Sequence, residues 1–121
     1  MGWFSNKSKN DFPWENMVSQ EVLENVLNQP AASLIFKHST RCGISRMALS
    51  SFEQAWDQKQ EGCSLFYIDL LSYRDLSRSI AERTGVIHQS PQAIVVKNGE
   101  VVYHASHHEI DAAKIQKLLR S

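Results

Sequence analysis

The sequence predicts an α/β domain in which helices cover both faces of a central mixed sheet of four strands. Two nearly continuous apolar runs, residues 32–37 and 64–70, predict buried strands, because a strand covered on both faces shows no polar alternation. Two further apolar runs flank Asn98-Gly99, a dipeptide that favours the type I′ turn of a β-hairpin. With the helical patterns between these runs, the predicted order is helix, strand, helix, strand, helix, two strands and helix.

The first two helices are predicted from apolar residues at helical spacing between start and stop signals. The first helix follows Ser19, carries acidic residues near its start and ends before Pro30. The second begins around Cys42 and runs past Ala55. Its predicted apolar stripe comprises Met47, Phe52 and Trp56. Cys42 is therefore predicted to lie where a buried strand gives way to a helix.

The third and fourth helices are predicted from their capping signals. Ser72 is followed three residues later by Asp75, which predicts an N-cap, and Gly85 is placed to end that helix in the left-handed conformation. Ser106 and Glu109 form a predicted capping box for the closing helix. The apolar stripes that follow both caps predict that each helix packs on the sheet.

Length and composition predict one domain. The chain has 121 residues, of which 42% are hydrophobic and 21% charged, a balance typical of one small globular domain. Residues 1–12 are mostly polar, and such a composition buries too little apolar area to offset the entropy lost on ordering. We therefore expect a flexible tail over residues 1–12 and a single domain over residues 13–121.

Charge and cysteine content exclude several classes of function. The 13 basic residues balance the 13 acidic ones, which disfavours a nucleic-acid partner. No apolar run approaches the roughly 20 residues of a membrane-spanning helix, and the first residues lack the apolar core of a signal peptide. Two distant cysteines, Cys42 and Cys63, form no disulfide framework. We expect a cytoplasmic protein without a membrane partner, and the sequence leaves its oligomeric state open.

Cys42 is the candidate nucleophile. A thiol at a helix N-terminus faces unpaired backbone N–H groups and the positive end of the helix dipole, which both favour the thiolate. Arg41 adds a neighbouring positive charge, and Ser45, one turn further on, is expected to donate its hydroxyl to the sulfur. Because Ser45 cannot form a disulfide, the C-x-x-S pattern predicts a monothiol site.

Ser90-Pro91 is the second candidate segment. Proline cannot donate a hydrogen bond to a sheet, so its place just before a strand marks a turn, a sheet edge or a cis bond. Taken alone, the dipeptide predicts an ordinary trans turn, because only about one X–Pro bond in twenty is cis in folded proteins.

The two segments together resemble a known family. The segments concerned are residues 36–45 (FKHSTRCGIS), 90–93 (SPQA) and 103–107 (YHASH). With the order of elements they are similar to the thioredoxin fold, and more narrowly to the bacillithiol-system thioredoxin-like family, the YtxJ type of monothiol bacilliredoxin-like protein. The resemblance covers nearly the whole chain after the tail. It implies that the Ser90–Pro91 bond is cis and that Pro91 packs against Cys42.

The resemblance also implies a function. It implies a thiol–disulfide exchange protein that removes bacillithiol, a small thiol of some bacteria, from mixed disulfides with client proteins. Cys42 would act as the nucleophile, with Ser45 and Arg41 as its helpers, and the expected substrate-binding residues are Thr40, Gly43, Ser90 and Pro91. Bacillithiol is then a co-substrate, and no cofactor is expected to bind tightly. Gly43 departs from the family, which carries proline more often at that position, and glycine loosens the first helical turn.

Cys63 and the histidines are weaker candidates. Cys63 is interpreted as structural, with the resolution of a Cys42 disulfide as the alternative. His38 either caps its strand or acts as a base for Cys42. His104, His107 and His108 suggest zinc, but no thiol lies at ligand spacing, and we expect a solvated strand end and no metal site.

Two other functions stay open. Cys-Gly-Ile-Ser at residues 42–45 is also similar to the Cys-Gly-Phe-Ser motif of monothiol glutaredoxins, which carry iron–sulfur clusters. Those proteins have a longer loop between an upstream lysine and the cysteine, and a glycine pair after the hairpin that this chain lacks. The absence of a second active-site cysteine alternatively suggests a thioredoxin-like binding module without catalytic activity.

Overall fold

A five-stranded mixed sheet forms the centre of the fold, in a computed structural model that describes residues 12–57 and 64–120. The strands are β1 (Glu15–Asn16), β2 (Ser33–His38), β3 (Ser64–Asp69), β4 (Gln92–Lys97) and β5 (Glu100–Ser106). Their spatial order is β1-β3-β2-β4-β5. β1 and β2 both pair with β3 in parallel, whereas β4 is antiparallel to β2 and to β5.

Four α-helices cover the two faces of the sheet. They are α1 (Gln20–Asn28), α2 (Gly43–Ala55), α3 (Arg74–Thr84) and α4 (Ala112–Arg120), and a short 3₁₀ helix (His107–Glu109) precedes α4. On one face, apolar residues of α1 and α3 pack with Ile35 of β2. On the other face, residues of α2 and α4 pack with Leu34 and Phe36. The predicted coverage of both faces by helices is thus confirmed.

β2 lies at the centre of the sheet and is buried along its whole length. Its alternate residues enter opposite cores, because successive side chains of a strand point to opposite faces. The end of β2 therefore carries the chain out of the core at Ser39, three residues before Cys42.

The predicted hairpin turn and the predicted end of the third helix agree with the structure, and the first helix has a side-chain cap. Asn98 and Gly99 have φ of 54° and 77°, the positive values that a type I′ turn requires. The Ser19 hydroxyl accepts a hydrogen bond from the Val22 amide at 3.3 Å, and Gly85 ends α3 with φ of 76°.

The number of strands was predicted wrongly. The sheet has five strands and not four, because β1, with only two exposed residues, has no apolar alternation by which the sequence could reveal it. Phe12, assigned to the flexible tail, is buried against Trp14, Phe52 and Trp56. Phe12 therefore belongs to the packed domain, whereas residues 1–11 lie outside the described part of the chain.

Helix boundaries also depart from the prediction. Tyr73, not Ser72, is the N-cap of α3, and the Ser72 hydroxyl donates to Asp69 Oδ2 at 3.0 Å. Ser106 makes no side-chain cap, because residues 107–109 form the 3₁₀ helix, and α2 ends at Ala55. Within the described ranges, no helix combines the length and the apolar character needed to cross a bilayer.

Candidate functional site

Cys42 lies at the junction between β2 and α2, where the sequence placed it. It is the N-cap residue of α2, and its thiol is free and partly exposed. The Cys42 amide donates to the Ser39 carbonyl at 3.1 Å, and the Cys42 carbonyl accepts from the Arg46 amide at 3.0 Å. A tight turn after β2 therefore sets the thiol at the start of the helix, where the first backbone N–H groups have no partner within the helix.

Ser45 does not contact the thiol as expected. Its side chain is fully buried, and its hydroxyl oxygen lies 2.8 Å from His38 Nδ1 and accepts a hydrogen bond from the Ser39 amide at 3.0 Å. The expected hydrogen bond from Ser45 to the Cys42 sulfur is wrong, because the hydroxyl is engaged by these two partners inside the core. Ser45 instead ties the start of α2 to the end of β2 and so holds the turn that carries Cys42.

His38 is buried at the end of β2 and completes this hydrogen-bonded group. Burial lowers the pKa of His38 from its usual range, and the Asp69 carboxylate opposes that shift in part. The Ser45 hydroxyl already accepts from Ser39, so its own proton is available for the Nδ1 atom of a neutral His38. The Ser45 hydroxyl thus holds His38 in place, and both roles considered for His38, in capping its strand or as a base for Cys42, stay predictions.

Tyr67 of β3 lies against His38, with ring centroids 5.5 Å apart. Burial, together with Asp69 and Glu53, raises the pKa of Tyr67 to about 12. Tyr67 therefore stays protonated at neutral pH and packs as a neutral ring.

The residues around Cys42 leave the thiol open to solvent. Arg41, Thr40 and Gly43 are all exposed. The Thr40 carbonyl accepts from Arg46 Nη1 at 3.3 Å, and a Cβ added to Gly43 would meet only Arg46 Nη2, at 3.9 Å. Large partners can therefore approach the thiol from this side.

Exposed apolar side chains extend this open surface along α2. Ile44 is 65% exposed and Met47 is 71% exposed, so the expectation that Met47 joins the apolar stripe of the helix is wrong. Both side chains line a cavity of about 650 Å³ between α2 and the 3₁₀ helix. Phe52 and Trp56 do enter the core as expected.

Pro91 is buried directly before β4, and its peptide bond with Ser90 is cis. The Pro91 carbonyl accepts from the His107 amide at 3.0 Å. The Ser90 hydroxyl oxygen is enclosed and has no hydrogen-bond partner among residues 12–57 and 64–120. Contact between Pro91 and the Cys42 thiol stays a prediction.

A buried lysine beside Pro91 was missed by the sequence analysis. Lys37 of β2 is fully buried, and its Nζ donates to Gln92 Oε1 at 3.0 Å. Burial lowers the pKa of Lys37 to about 8. Gln92 in turn donates to the Ile87 carbonyl at 3.0 Å, which ties the segment before Pro91 to the sheet. The available signal was a lysine within an apolar run that predicts a buried strand.

A second cavity, of about 550 Å³, was also missed by the sequence analysis. It is lined by Ser39, Leu70, Leu71, Arg74, Ser77, Arg78, Ala81, His88 and Ser90. The cavity lies between α3 and the loops that carry Ser39 and Ser90. The available signal was the helical spacing of Arg74, Ser77, Arg78 and Ala81.

The remaining candidates are three histidines near the end of β5 and a cysteine outside the described residues. His104, His107 and His108 are exposed at the end of β5 and in the 3₁₀ helix. Across the described ranges, no three His, Cys, Asp or Glu side chains are grouped closely enough to hold a metal ion. Cys63 lies outside the described residues, so its structural and resolving roles both stay predictions.

Comparison with known proteins identifies a family and a fold. A family model described as monothiol bacilliredoxin BrxC matches residues 15–115. A solved structure described as a candidate oxidoreductase with a thioredoxin fold aligns with a TM-score of 0.77 and 28% identity, over 92% of this chain and 96% of that one.

Two thioredoxins share the fold at lower identity. A variant thioredoxin of Halobacterium salinarum aligns with a TM-score of 0.65 and 17% identity, over 88% of each chain. The thioredoxin of Schistosoma mansoni aligns with a TM-score of 0.64 and 18% identity, over 88% of this chain and 93% of that one. These likenesses establish the thioredoxin-like arrangement of sheet and helices.

Proposed function

The chain belongs to the monothiol bacilliredoxin family, and on that premise we propose that it removes bacillithiol from protein mixed disulfides through Cys42. The observation that carries this proposal is a free, partly exposed thiol at the start of α2, with a serine one turn away. We propose the cytoplasm, where thiols are kept reduced, as its place of action.

The first step releases the client protein. The Cys42 thiolate attacks the bacillithiol sulfur of the mixed disulfide, a new S–S bond forms, and the S–S bond to the client breaks. The client leaves as a thiolate and takes up a proton. Cys42 then holds bacillithiol in a mixed disulfide.

The second step regenerates Cys42. The thiolate of a second bacillithiol attacks the bound bacillithiol sulfur, forms bacillithiol disulfide and releases the Cys42 thiolate. In total one disulfide bond is exchanged for another: the client is released as a thiol, and the bacillithiol it carried is joined to one free bacillithiol as bacillithiol disulfide. Bacillithiol is therefore proposed as a co-substrate.

Ser45 supports this monothiol route. A second cysteine at the same position would attack the Cys42 mixed disulfide from within the protein, whereas the buried Ser45 hydroxyl has no such chemistry. The Cys42–bacillithiol adduct therefore awaits an external thiol.

Client binding is proposed at the exposed residues around the thiol and at the loop before β4. Thr40 and Gly43 border Cys42, and Ser90 and Pro91 lead into β4. A client segment paired with backbone groups of this loop would be held without regard to its side chains, which suits a protein with many clients. The exposed Ile44 and Met47 offer apolar contact beside it.

The decisive experiment loads the protein and maps the adduct. After incubation with bacillithiol disulfide, mass spectrometry of peptides should show bacillithiol on Cys42, and the loaded protein should return to its free mass when bacillithiol is added. With a bacillithiolated model client, the wild type should release bacillithiol, the Cys42→Ser variant should not, and Cys63→Ser is the matched control.

Two outcomes would contradict the proposal. Full client repair by Cys42→Ser would remove Cys42 from the reaction. A protein purified without oxygen that carries a brown chromophore bound through Cys42, and that leaves mixed disulfides intact, would favour an iron–sulfur carrier.

A further inference from the structure

The cavity lined by Arg74 and Arg78, here named the arginine cavity, begins one loop away from the thiol. Ser39 lines it, and the Ser39 carbonyl accepts the hydrogen bond of the Cys42 amide at 3.1 Å. Ser90, on the opposite loop, also lines it and directly precedes Pro91. A small molecule bound there would therefore lie next to the two loops that form the candidate site.

One face of α3 gives the cavity its charge. Arg74, Ser77 and Arg78 share this face, since they are spaced by three and four residues. The Arg74 guanidinium makes no ion pair or hydrogen bond with any residue in the described ranges, whereas Arg78 pairs with Asp75 at 3.1 Å on the surface. No acidic residue is among the described residues that line the cavity. Its wall thus carries two guanidinium groups, of which that of Arg78 is paired with Asp75 outside the lining and that of Arg74 is not.

The polar groups of the opposite wall favour an acceptor-rich ligand. The Ser90 hydroxyl oxygen is enclosed and has no hydrogen-bond partner among the described residues. This is unusual, because most buried polar groups are hydrogen-bonded. His88 also lines the cavity, and its pKa is lowered by burial and then by the charge of the buried Lys37. Lys37 therefore adds positive potential behind this wall.

We propose that the arginine cavity binds a carboxylate of the low-molecular-weight thiol that exchanges with Cys42. This inference rests on the proposed function, and it assigns to Arg74 and Arg78 the choice of an anionic thiol over a neutral one. Arginine pairs with carboxylates through two parallel N–H donors, and the serine hydroxyls supply further donors.

Size favours a small thiol over a client side chain as the occupant. The volume of about 550 Å³ lies within the range of about 300–1,000 Å³ typical of small-molecule sites. An open cavity of this size has room for a small molecule, whereas the surface around Cys42 suits a protein client.

The test compares two disulfides of different charge. Cys42 attacks one sulfur of either reagent, forms a mixed disulfide and releases the other half as a thiolate. The reagents are bacillithiol disulfide, which carries carboxylates, and the neutral bis(2-hydroxyethyl) disulfide. The ratio of the two rate constants cancels any change in the reactivity of the thiol itself.

The variant is Arg74→Gln/Arg78→Gln, and the control is Lys117→Gln/Arg120→Gln, which removes the same charge from exposed positions of α4. We expect the double arginine variant to lower the rate ratio by about tenfold, as two solvent-exposed ion pairs are lost. The control should leave the ratio unchanged, and thermal unfolding should show that both proteins are folded.

An unchanged ratio in the arginine variant, or an equal fall in the control, would overturn the inference. So would a variant that keeps its rate with bacillithiol disulfide and loses it only with acidic clients. NMR can monitor the binding of S-methyl bacillithiol to the Cys42→Ser protein. This measurement tests the carboxylate site separately from the proposed thiol exchange. Binding at Arg74 and Arg78 without any reaction of the wild type would refute the proposed function alone.

Discussion

Lys37 is a buried lysine near the candidate site, and a hydrogen bond offsets part of the cost of burying its charge. A lysine in an apolar interior loses its hydration, and here its ammonium keeps one partner, the Gln92 side-chain oxygen at 3.0 Å. Burial accordingly lowers the pKa of Lys37 from 10.5 to about 8. The charged form therefore costs stability in the folded protein.

This shift predicts that stability rises with pH. Below pH 8 Lys37 is protonated in both the folded and the unfolded chain, so the whole cost of burying the charge is present. Between pH 8 and 10.5 the folded chain loses that proton before the unfolded chain does, and the cost declines. The deficit of the wild type relative to Lys37→Met should shrink by about 1–2 kcal/mol between about pH 7 and 9.5, measured by urea unfolding. A constant deficit would show that Lys37 keeps its proton.

The hydrogen bonds of Ser45 predict a second effect on stability. Ser45→Ala removes a hydroxyl that is bonded to both the Ser39 amide and His38, so it leaves buried polar groups without partners. We expect a loss of about 1–3 kcal/mol in the free energy of unfolding. Ser51→Ala, at an exposed position of α2, is the matched control and should cost little. A variant of normal stability whose Cys42 is alkylated more slowly would instead indicate a direct contact between Ser45 and the sulfur.

At the start of α2, the candidate thiol of Cys42 is followed by a glycine that no positive φ requires. Gly43 is the first residue of the helix, has no positive φ, and leaves room for a Cβ at 3.9 Å from Arg46 Nη2. Gly43→Ala should therefore stabilise the protein, by about 0.5–1 kcal/mol, since alanine loses less backbone entropy on folding.

Gly99→Ala is the contrasting variant for that prediction. Gly99 has φ of 77°, and a Cβ there would lie 2.9 Å from the Leu27 carbonyl oxygen, so alanine should destabilise the hairpin. Thermal unfolding of both variants tests the pair of predictions. A less stable Gly43→Ala protein would show that the first turn of α2 needs the freedom of glycine.

The elements that sequence predicted correctly are those whose signal is local. The hairpin followed from the conformational demand of Asn98-Gly99, and the position of Cys42 followed from an apolar run that ends before a helical pattern. β1 could not be predicted, because two exposed residues become a strand only by pairing with β3. The partners of Ser45 likewise depend on how β2 and α2 meet, which no spacing within α2 reveals.

The whole molecule carries no net charge at pH 7. Basic and acidic residues cancel in number, so no net charge steers partners toward the protein. The positive wall of the arginine cavity acts only at short range. Global neutrality therefore suits the proposed exchange with clients of either charge.

This neutrality predicts two different responses to salt. Between about 0.01 M and 0.15 M ionic strength the Debye length falls from about 30 to 8 Å, which screens exposed charges. The rate with a bacillithiolated client of near-zero net charge should change by less than about twofold, because no net field is lost. The rate with bacillithiol disulfide should fall more steeply, and stopped-flow tryptophan fluorescence can follow both. Equal salt dependence would indicate that steering acts on the client surface as well.

The two edge strands of the sheet, β1 and β5, bear on whether the protein aggregates at high concentration. A strand at the edge of a sheet is a template on which another chain can add, and this is a common route to aggregation. β1 offers two residues to such a strand, and β5 lies beside a register shift in β4 between Val95 and Val96. Short and irregular edges make poor templates. The two-residue edge of β1 and the irregular pairing beside β5 thus limit the backbone on which another chain could add.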